Sequence, residues 1–430
     1  MAAALTLEVF LDGEWRKAAL LEFPNEALGD RGSCHFEYEH EYLVSHGARR
    51  RFDSEVSLRL PLEFGPSILE TWPSFLDDVR PMGNARRVWL SRLSLADGPA
   101  SDFQLLKQGT VAPVGNLRVA ESVPPSSGPP RRFSAESVVQ REHEFIAFAA
   151  EQGAQVGGAS GAGGDSPKLV LRQDLDGQVW IDVWQDEPEN PARHMLVKFA
   201  RGKHERDKLI LRSEYVYYQA LTRLGISTIS TEGMKLLEGQ NGPSLWLPRF
   251  DVRRHRGREV RLGMESMYSL LAASPGARLQ HQDVLTALRK VVPPSAWPKL
   301  LIEYVERDLL NLVFGNSDNH GRNTSLLKSA DGVFLAPVYD FAPMKMDLEG
   351  ISRTTQWNGF ERGGDVDWRG LLPTFEAHEK KVTSALRALA KRLVVLPSLL
   401  RELGLPKETL EFPALGLLRT EERLREWGLL

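Results

Sequence analysis

Glu214 stands where a carboxylate is least welcome. The stretch DKLILRSEYVYYQALTRL, about 207–224, has the apolar spacing of a helix, and on that period Glu214 falls beside Ile210, Leu211, Tyr217, Tyr218 and Leu221. A carboxylate buried on that face is costly unless a cation meets it. Sixteen residues earlier, Lys198 lies in HMLVKFA, an apolar strand pattern in which Leu196 and Lys198 share one face. The sequence therefore predicts a strand, a helix packed on it, and a lysine–glutamate pair between them. A purely structural ion pair remains open as the plainer reading.

The chain around this pair divides by composition. Residues 5–65 read as short strands (LTLEVFLDG, CHFEYEHEYL, EVSLRLPL), and 66–96 read as helical, with SILETWPSFLDDV the clearest piece. These belong to a β-rich N-terminal module, 1–120. A linker with a helix follows at 121–152, the linker being the proline- and serine-rich ESVPPSSGPPRRFSAES and the helix VVQREHEFIAFAAEQ. A mixed β/α lobe, 153–255, opens with a glycine-rich run, and a helical lobe fills 256–430. The fold class expected is α+β with two lobes, the smaller sheet-rich and the larger helical, as in protein kinases.

Hydrophobic content of 42% and charged content of 26% fit a soluble globular chain, and a net charge of −3 argues against a nucleic-acid coat protein. The single cysteine, Cys34, cannot close an internal disulfide, which favours a reducing, cytoplasmic setting. No run approaches the ~20 apolar residues of a membrane span, and the N-terminus lacks the basic start of a signal peptide.

Three further stretches carry chemistry. The run GAGGDSPK could let backbone N–H groups approach phosphates, although it lacks the Walker spacing and a flexible linker has the same composition. The segment GNSDNHGRNTSLL follows an apolar helix with Leu301, Tyr304, Val305, Leu309, Leu312 and Val313 on one face, so its polar residues leave from a buried anchor. Within it Asp318 and Asn323 have the D-x-x-x-x-N spacing of a kinase catalytic loop, where a carboxylate takes the substrate hydroxyl's proton and an amide oxygen reaches Mg²⁺. Asp340 ends the apolar run of FLAPVYDFAPM and suits a second Mg²⁺ ligand. Lys198, Glu214, Asp318, Asn323 and Asp340 then occur in kinase order. The loop is polar and is expected to be exposed, so a change at Asp318 should alter stability by no more than about 0.5 kcal/mol.

At these residues the chain resembles HipA, the serine/threonine kinase toxin of bacterial HipBA-type toxin–antitoxin modules. FEYEHEYL, VSLRLPL, FLDDVRPMG, GAGGDSPKLVL, HMLVKFA, SEYVYYQALTRLGI, LPRFDVRR, GNSDNHGRNTSLL and APVYDF carry the resemblance, from about residue 5 to 400. It implies an ATP- and Mg²⁺-dependent protein kinase that arrests growth, in the context of bacterial persistence. Asp318 would be the catalytic base, Lys198 with Glu214 would hold the phosphates, and Asn323 and Asp340 would bind Mg²⁺. His320 would contact the nucleotide, and the backbones of Pro248 and Phe250 would hydrogen-bond adenine. Gly161, Ala162, Gly163, Gly164, Lys168 and Tyr339 complete the implied ATP site.

The partners implied are a small helix-turn-helix antitoxin, operator DNA reached only through it, and a protein substrate for which aminoacyl-tRNA synthetases are the family's precedent. Pro248 stands where the family often has Glu, the chain shows no helix-turn-helix pattern of its own, and one further departure matters more. The family's autophosphorylated serine corresponds to Gly161 here, with Ser160 and Ser166 as neighbours and Ser160 the better placed. The basic run RRHRGREVR, 253–261, reads as a solvated loop, with a tRNA or DNA contact as the other reading. Two other functions stay open at this level: a catalytically weak HipA-like binding or antitoxin subunit, and a metal-dependent nuclease using Asp318, His320 and Asn323.

Overall fold

The computed structural model describes residues 3–47, 51–111, 114–123, 130–151, 166–182 and 191–430. Five antiparallel strands form the N-terminal sheet: β1 (Ala3–Leu11), β2 (Glu14–Phe23), β3 (Cys34–Tyr38), β4 (Ser67–Leu69) and β5 (Leu117–Val119), in the order β4-β3-β2-β1-β5. Alternation places Leu5, Leu7, Val9, Ala19, Leu21, Phe36 and Tyr38 in its core with Phe75, Leu76 and Phe103.

Three expectations fail in this module. CHFEYEHEYL is a strand only over Cys34–Tyr38, and His40–His46 is a helix. EVSLRLPL is no strand: a lone bridge, Ser57–Leu60, is all the pairing it keeps. Its backbone is bound elsewhere, because Leu58 N–H donates to Glu265 Oε2 at 2.8 Å and Lys328 Nζ donates to the carbonyls of Glu55 and Val56. SILETWPSFLDDV is not a continuous helix either. Ser67–Leu69 is strand β4, and only Leu76–Val79 is helical within that piece, since Pro66 and Pro73 interrupt any longer helix. Likewise VVQREHEFIAFAAEQ forms two helices, Ala135–Val139 and His143–Glu151.

The second sheet has six antiparallel strands: β6 (Phe133–Ser134), β7 (Lys168–Gln173), β8 (Gln178–Ile181), β9 (Arg193–Phe199), β10 (Lys235–Gly239) and β11 (Gly242–Pro248), ordered β10-β11-β9-β7-β8-β6. Lys198 on β9 is paired with Lys168 on β7 and Leu245 on β11. Between β9 and β10 runs the helix Glu205–Arg223, which buries Leu211, Glu214, Tyr217, Tyr218 and Leu221. The run read as a basic loop is a hairpin, β12 (Val252–His255) with β13 (Arg258–Arg261).

The remainder is mostly helical around one core that also takes in Tyr217, Tyr218 and Leu221. A small antiparallel sheet, β14 (Gly263–Ser266) with Ser325–Ser329 and Gly332–Leu335, takes the chain out of the polar loop. The helix Trp297–Phe314 delivers that loop, with Leu300, Leu301, Tyr304, Val305, Leu309, Leu312, Val313 and Phe314 all buried. Among the described residues, no helix is long and apolar enough to cross a membrane.

Gly315 ends this helix in the left-handed conformation (φ 70°), its N–H returning to the carbonyl of Leu312. A Cβ there would lie 2.4 Å from Leu415 Cδ2. Gly315→Ala therefore combines backbone strain with overpacking and is expected to destabilise the fold by about 1–3 kcal/mol. Urea unfolding of the two proteins measures this, and an unchanged midpoint would contradict it.

Candidate functional site

Three elements converge on one ammonium group. Lys198 Nζ donates to both Glu214 oxygens (2.7 and 2.6 Å) and to Asp340 Oδ1 at 2.6 Å. The pair inferred from Glu214's place on the apolar face is thus present in space, with Asp340 as a third member. Glu214 is itself held, since Tyr218 Oη donates to its Oε1 at 2.8 Å. Lys168 Nζ reaches Asp340 Oδ2 at 3.2 Å, so both oxygens of Asp340 meet lysines. Asp340 lies at φ 50°, a strained conformation for a residue with a side chain, although aspartate tolerates it better than most.

The charges follow from these contacts. Burial would raise the Asp340 carboxyl, but Lys168 and Lys198 outweigh it and hold it well below the usual carboxylate range. Burial likewise works against the charge of Lys198, yet Asp340 and Glu214 together push its pKa up. Lys168 goes the other way: burial lowers it and Asp340 only partly restores it. The two lysines are not equivalent.

A cleft of about 460 Å³ opens beside this cluster, lined by Ser166, Lys168, Lys198, Asp318, His320 and Asp340 among others. A narrow slot of about 40 Å³ adjoins it, walled by Val170, Leu196, Leu247, Pro248, Phe250 and Tyr339. Phe250 and Tyr339 pack with ring centroids 5.4 Å apart. The slot is largely apolar and opens on Lys198 and Asp340. Gly161, Ala162, Gly163 and Gly164, and with them Ser160, lie outside the described residues.

The polar loop is not exposed, contrary to expectation. Asn316, Ser317, Asn319 and Arg322 are buried, and Asp318, His320 and Asn323 are partly buried. Internal bonds replace water. Asn316 Oδ1 accepts the Asp318 N–H and Asn323 Nδ2 donates to the Asp318 carbonyl at 2.6 Å. Asn319 ties the loop to the segment after Asp340: its Nδ2 donates to the Thr355 carbonyl, and its Oδ1 accepts the N–H groups of Thr354 and Thr355. Burial raises the pKa of Asp318, and Asp340 adds to this, while His320, with Nε2 3.4 Å from Oδ1, opposes it. A carboxylate made more basic in this way is a better proton acceptor.

Asn323 Oδ1 is buried and without a hydrogen-bond partner. An orphaned amide oxygen and the carboxylate of Asp340 are the hard oxygen donors that Mg²⁺ takes when phosphates supply its other ligands, so these residues fit that ion. A cation reaching Asp340 competes there with Lys168 and Lys198.

Sequence reading missed Asn319 and Tyr218, because an asparagine amid polar neighbours and a tyrosine on an apolar stripe carry no distinguishing local signal. It also missed the charged wall behind the slot. Arg172, Asp182, His194, Arg249, Asp251, Glu259 and Arg261 are closely bonded there. Arg172 Nε donates to Asp182 (2.9 Å), His194 bridges Asp182 and Glu259 (2.8 and 2.9 Å), Arg249 donates to Asp251 (2.6 Å), and Arg261 donates to Glu259 (2.7 Å). The acidic residues of the LPRFDVRR and RRHRGREVR stretches point inward to this network.

The model of the HipA-like C-terminal domain family matches residues 160–395, more than half of the chain, and the chain belongs to that family. It is 26% identical over 287 residues to toxin YjjJ of Escherichia coli K12, a match covering 63% of this chain and 60% of that one, so less than two thirds of that relative's length is spanned. It is 25% identical over 345 residues to Y4mE of Sinorhizobium fredii, itself named only provisionally as a kinase, covering 76% of this chain and 75% of that one. Among solved structures, HipA of Shewanella oneidensis MR-1, determined with HipB and operator DNA, aligns over 97% of both chains with a TM-score of 0.68 at 18% identity, a likeness of fold. The two-lobed, kinase-like α+β architecture is that of HipA.

The wall behind the slot makes a pH prediction. Burial would raise Glu259, but His194, Arg261 and Arg172 bring it down to about 2, and Asp182 and Asp251 are also depressed. Carboxyls lowered in the folded state bind protons more readily when unfolded, so their stabilisation is present above the unfolded pKa and lost as pH falls through the folded one. Glu259 alone accounts for ~3 kcal/mol, lost between about pH 4.5 and 2. In acid denaturation followed by circular dichroism, Glu259→Gln should be less stable at neutral pH and flatter below pH ~4.5. Parallel curves for the two proteins would remove Glu259 from the network.

Proposed function

We propose that this chain is an ATP- and Mg²⁺-dependent serine/threonine protein kinase acting as a growth-arresting toxin with an antitoxin partner. The carrying observation is that Lys198, Glu214 and Asp340 form one buried cluster, and that Asp318 lines the same cleft with its pKa raised. In this reading Pro248 and Phe250 offer backbone groups to adenine and Lys198 holds the phosphates, kept in place by Glu214. Mg²⁺, held by Asn323 and Asp340, would neutralise phosphate charge during transfer. Asp318 accepts the proton of a serine or threonine hydroxyl as the hydroxyl oxygen bonds to the γ-phosphorus and the bond to ADP breaks. The antitoxin partner is supported by the complex in which the Shewanella HipA occurs, with HipB and operator DNA.

Asp318→Asn tests the reading with little structural cost. Its raised pKa means that the charged form is disfavoured in the fold, so the neutral amide should leave stability at pH 7.5 unchanged or higher. Phosphate transfer from labelled ATP is expected to fall by about 10²–10⁴-fold, the scale of a general base, and arrest on induced expression should disappear. Arrest that persists in a folded Asp318→Asn protein would favour a binding subunit without turnover. Calorimetric titration with ATP and Mg²⁺ tests the pocket. Lys198→Ala and Asp340→Ala should each weaken binding by at least about tenfold, as expected for losing a charge-assisted contact, and unchanged affinity in both would place the nucleotide elsewhere.

A further inference from the structure

Asp78 belongs to the N-terminal module, on the short helix Leu76–Val79, outside the 160–395 span of the family match. Its carboxylate nevertheless ends in the C-terminal lobe. Oδ2 accepts the N–H of Ser266 at 2.8 Å, and Oδ1 stands 3.9 Å from Arg322 Nε. Arg322 is part of the polar loop, between His320 and Asn323, and only 1% exposed. A guanidinium does not escape burial by losing its proton, and Asp78 is the one carboxylate within 4 Å of it among the described residues. Nε and Nη2 of Arg322 and Oδ1 of Asp78 are all buried without a hydrogen-bond partner. Two opposite charges thus face one another just beyond bonding distance.

Arg322 also touches the other side of the cleft. Its carbonyl accepts the Tyr339 hydroxyl, and Tyr339 immediately precedes Asp340. Moving Arg322 therefore disturbs Asp318 and Asn323 through the loop and Asp340 through the tyrosine.

We propose that Asp78 is a positioning residue of the active site: its carboxylate, delivered by the N-terminal module, holds Arg322 and so sets where Asp318, Asn323 and Asp340 stand. The catalytic consequence rests on the kinase reading above; the control of the loop does not. Two observations separate this role from simple docking. The module is fastened without Asp78, by Ser57 and Leu58 on Glu265, Lys328 on the Glu55 and Val56 carbonyls, and Ser74 on the Ser269 carbonyl. In addition, burial pushes the Asp78 carboxyl up to about 7, with neighbouring Glu265 adding to the rise, although Arg322 and the Ser266 N–H and hydroxyl oppose it. Ionised Asp78 consequently disfavours the fold at neutral pH.

The test uses the full chain with Asp78→Asn, which keeps an acceptor for Ser266 and loses the charge, Asp78→Glu, which keeps the charge, and Ser74→Ala as a docking control. Without nucleotide, hydrogen exchange of amides 316–324 is expected to quicken by about tenfold or more in Asp78→Asn, a loss of local protection, and to stay unchanged in Ser74→Ala. Thermal stability of Asp78→Asn above pH 7 should equal or exceed that of the wild type. In transfer assays kcat should fall about 10²-fold, the scale of a 1 Å misplacement, with little change in KM for ATP, and Asp78→Glu should recover part of it. Wild-type exchange across 316–324 in Asp78→Asn would overturn the proposal, as would an Asp78→Asn chain that fails to fold. A wild-type protein without transfer would instead sink the kinase reading, and the exchange comparison would still decide this one.

Discussion

The ammonium group of Lys198 is the point on which the two lobes are organised. A buried cation is tolerated only when opposite charge and hydrogen bonds surround it, and here the three donors of the ammonium are met by oxygens from two other elements. Strand β9 supplies the lysine, the helix Glu205–Arg223 supplies Glu214, and the segment leaving the C-terminal sheet supplies Asp340. The strain at Asp340 has its counterpart in the same place: Phe341, the next residue, packs against Tyr217 and Phe314, and its N–H lies 3.4 Å from the Tyr218 hydroxyl that also holds Glu214. Moving any one of the three elements would leave at least one full charge buried without its partner. A cluster with that penalty behaves as a register mark between sheet, helix and loop.

It is also electrically balanced. Lys168 and Lys198 face Glu214 and Asp340, two positive against two negative groups. On the proposed kinase reading a polyphosphate would engage the lysines, and a divalent cation would engage Asp340. The resting contacts are therefore the ones that a nucleotide and its metal ion would exchange together. Either ligand alone leaves one half of the set uncompensated.

How much of this was legible in the sequence depended on range. The Lys198–Glu214 pair could be found because the helix period puts Glu214 on a face where a lone carboxylate is not tolerated, and the partner lay sixteen residues away. The order Asp318, Asn323, Asp340 was read from residue types at a kinase-like spacing, and Asp318 and Asp340 do line one cleft. The joint between the N-terminal module and the C-terminal lobe could not. Glu265 with Ser57, and Lys328 with Glu55, join residues more than 200 positions apart, and neither end carries a local pattern. EVSLRLPL illustrates the failure: its alternation suits a strand, but the groups that would have formed a ladder are bound by Glu265 and Lys328. Prolines 66 and 73 were visible and should have limited the helix.

The burial of GNSDNHGRNTSLL was misjudged for a related reason. Polar residues normally mean water, and the count of polar residues does not reveal whether they satisfy each other. In this loop they do so in part: Asn316, Asn319 and Asn323 each bond a backbone group of the loop or of the segment facing it, which lets the chain go inside, while Asn323 Oδ1 and two nitrogens of Arg322 keep no hydrogen-bond partner. Burial is then what changes the chemistry. An exposed Asp318 would be an ordinary weak base, whereas desolvation and the nearby Asp340 raise its pKa only because the asparagines make an interior position affordable. The asparagine spacing and the basicity of Asp318 are two consequences of one arrangement, in which amide side chains do the work of solvent while keeping solvent out.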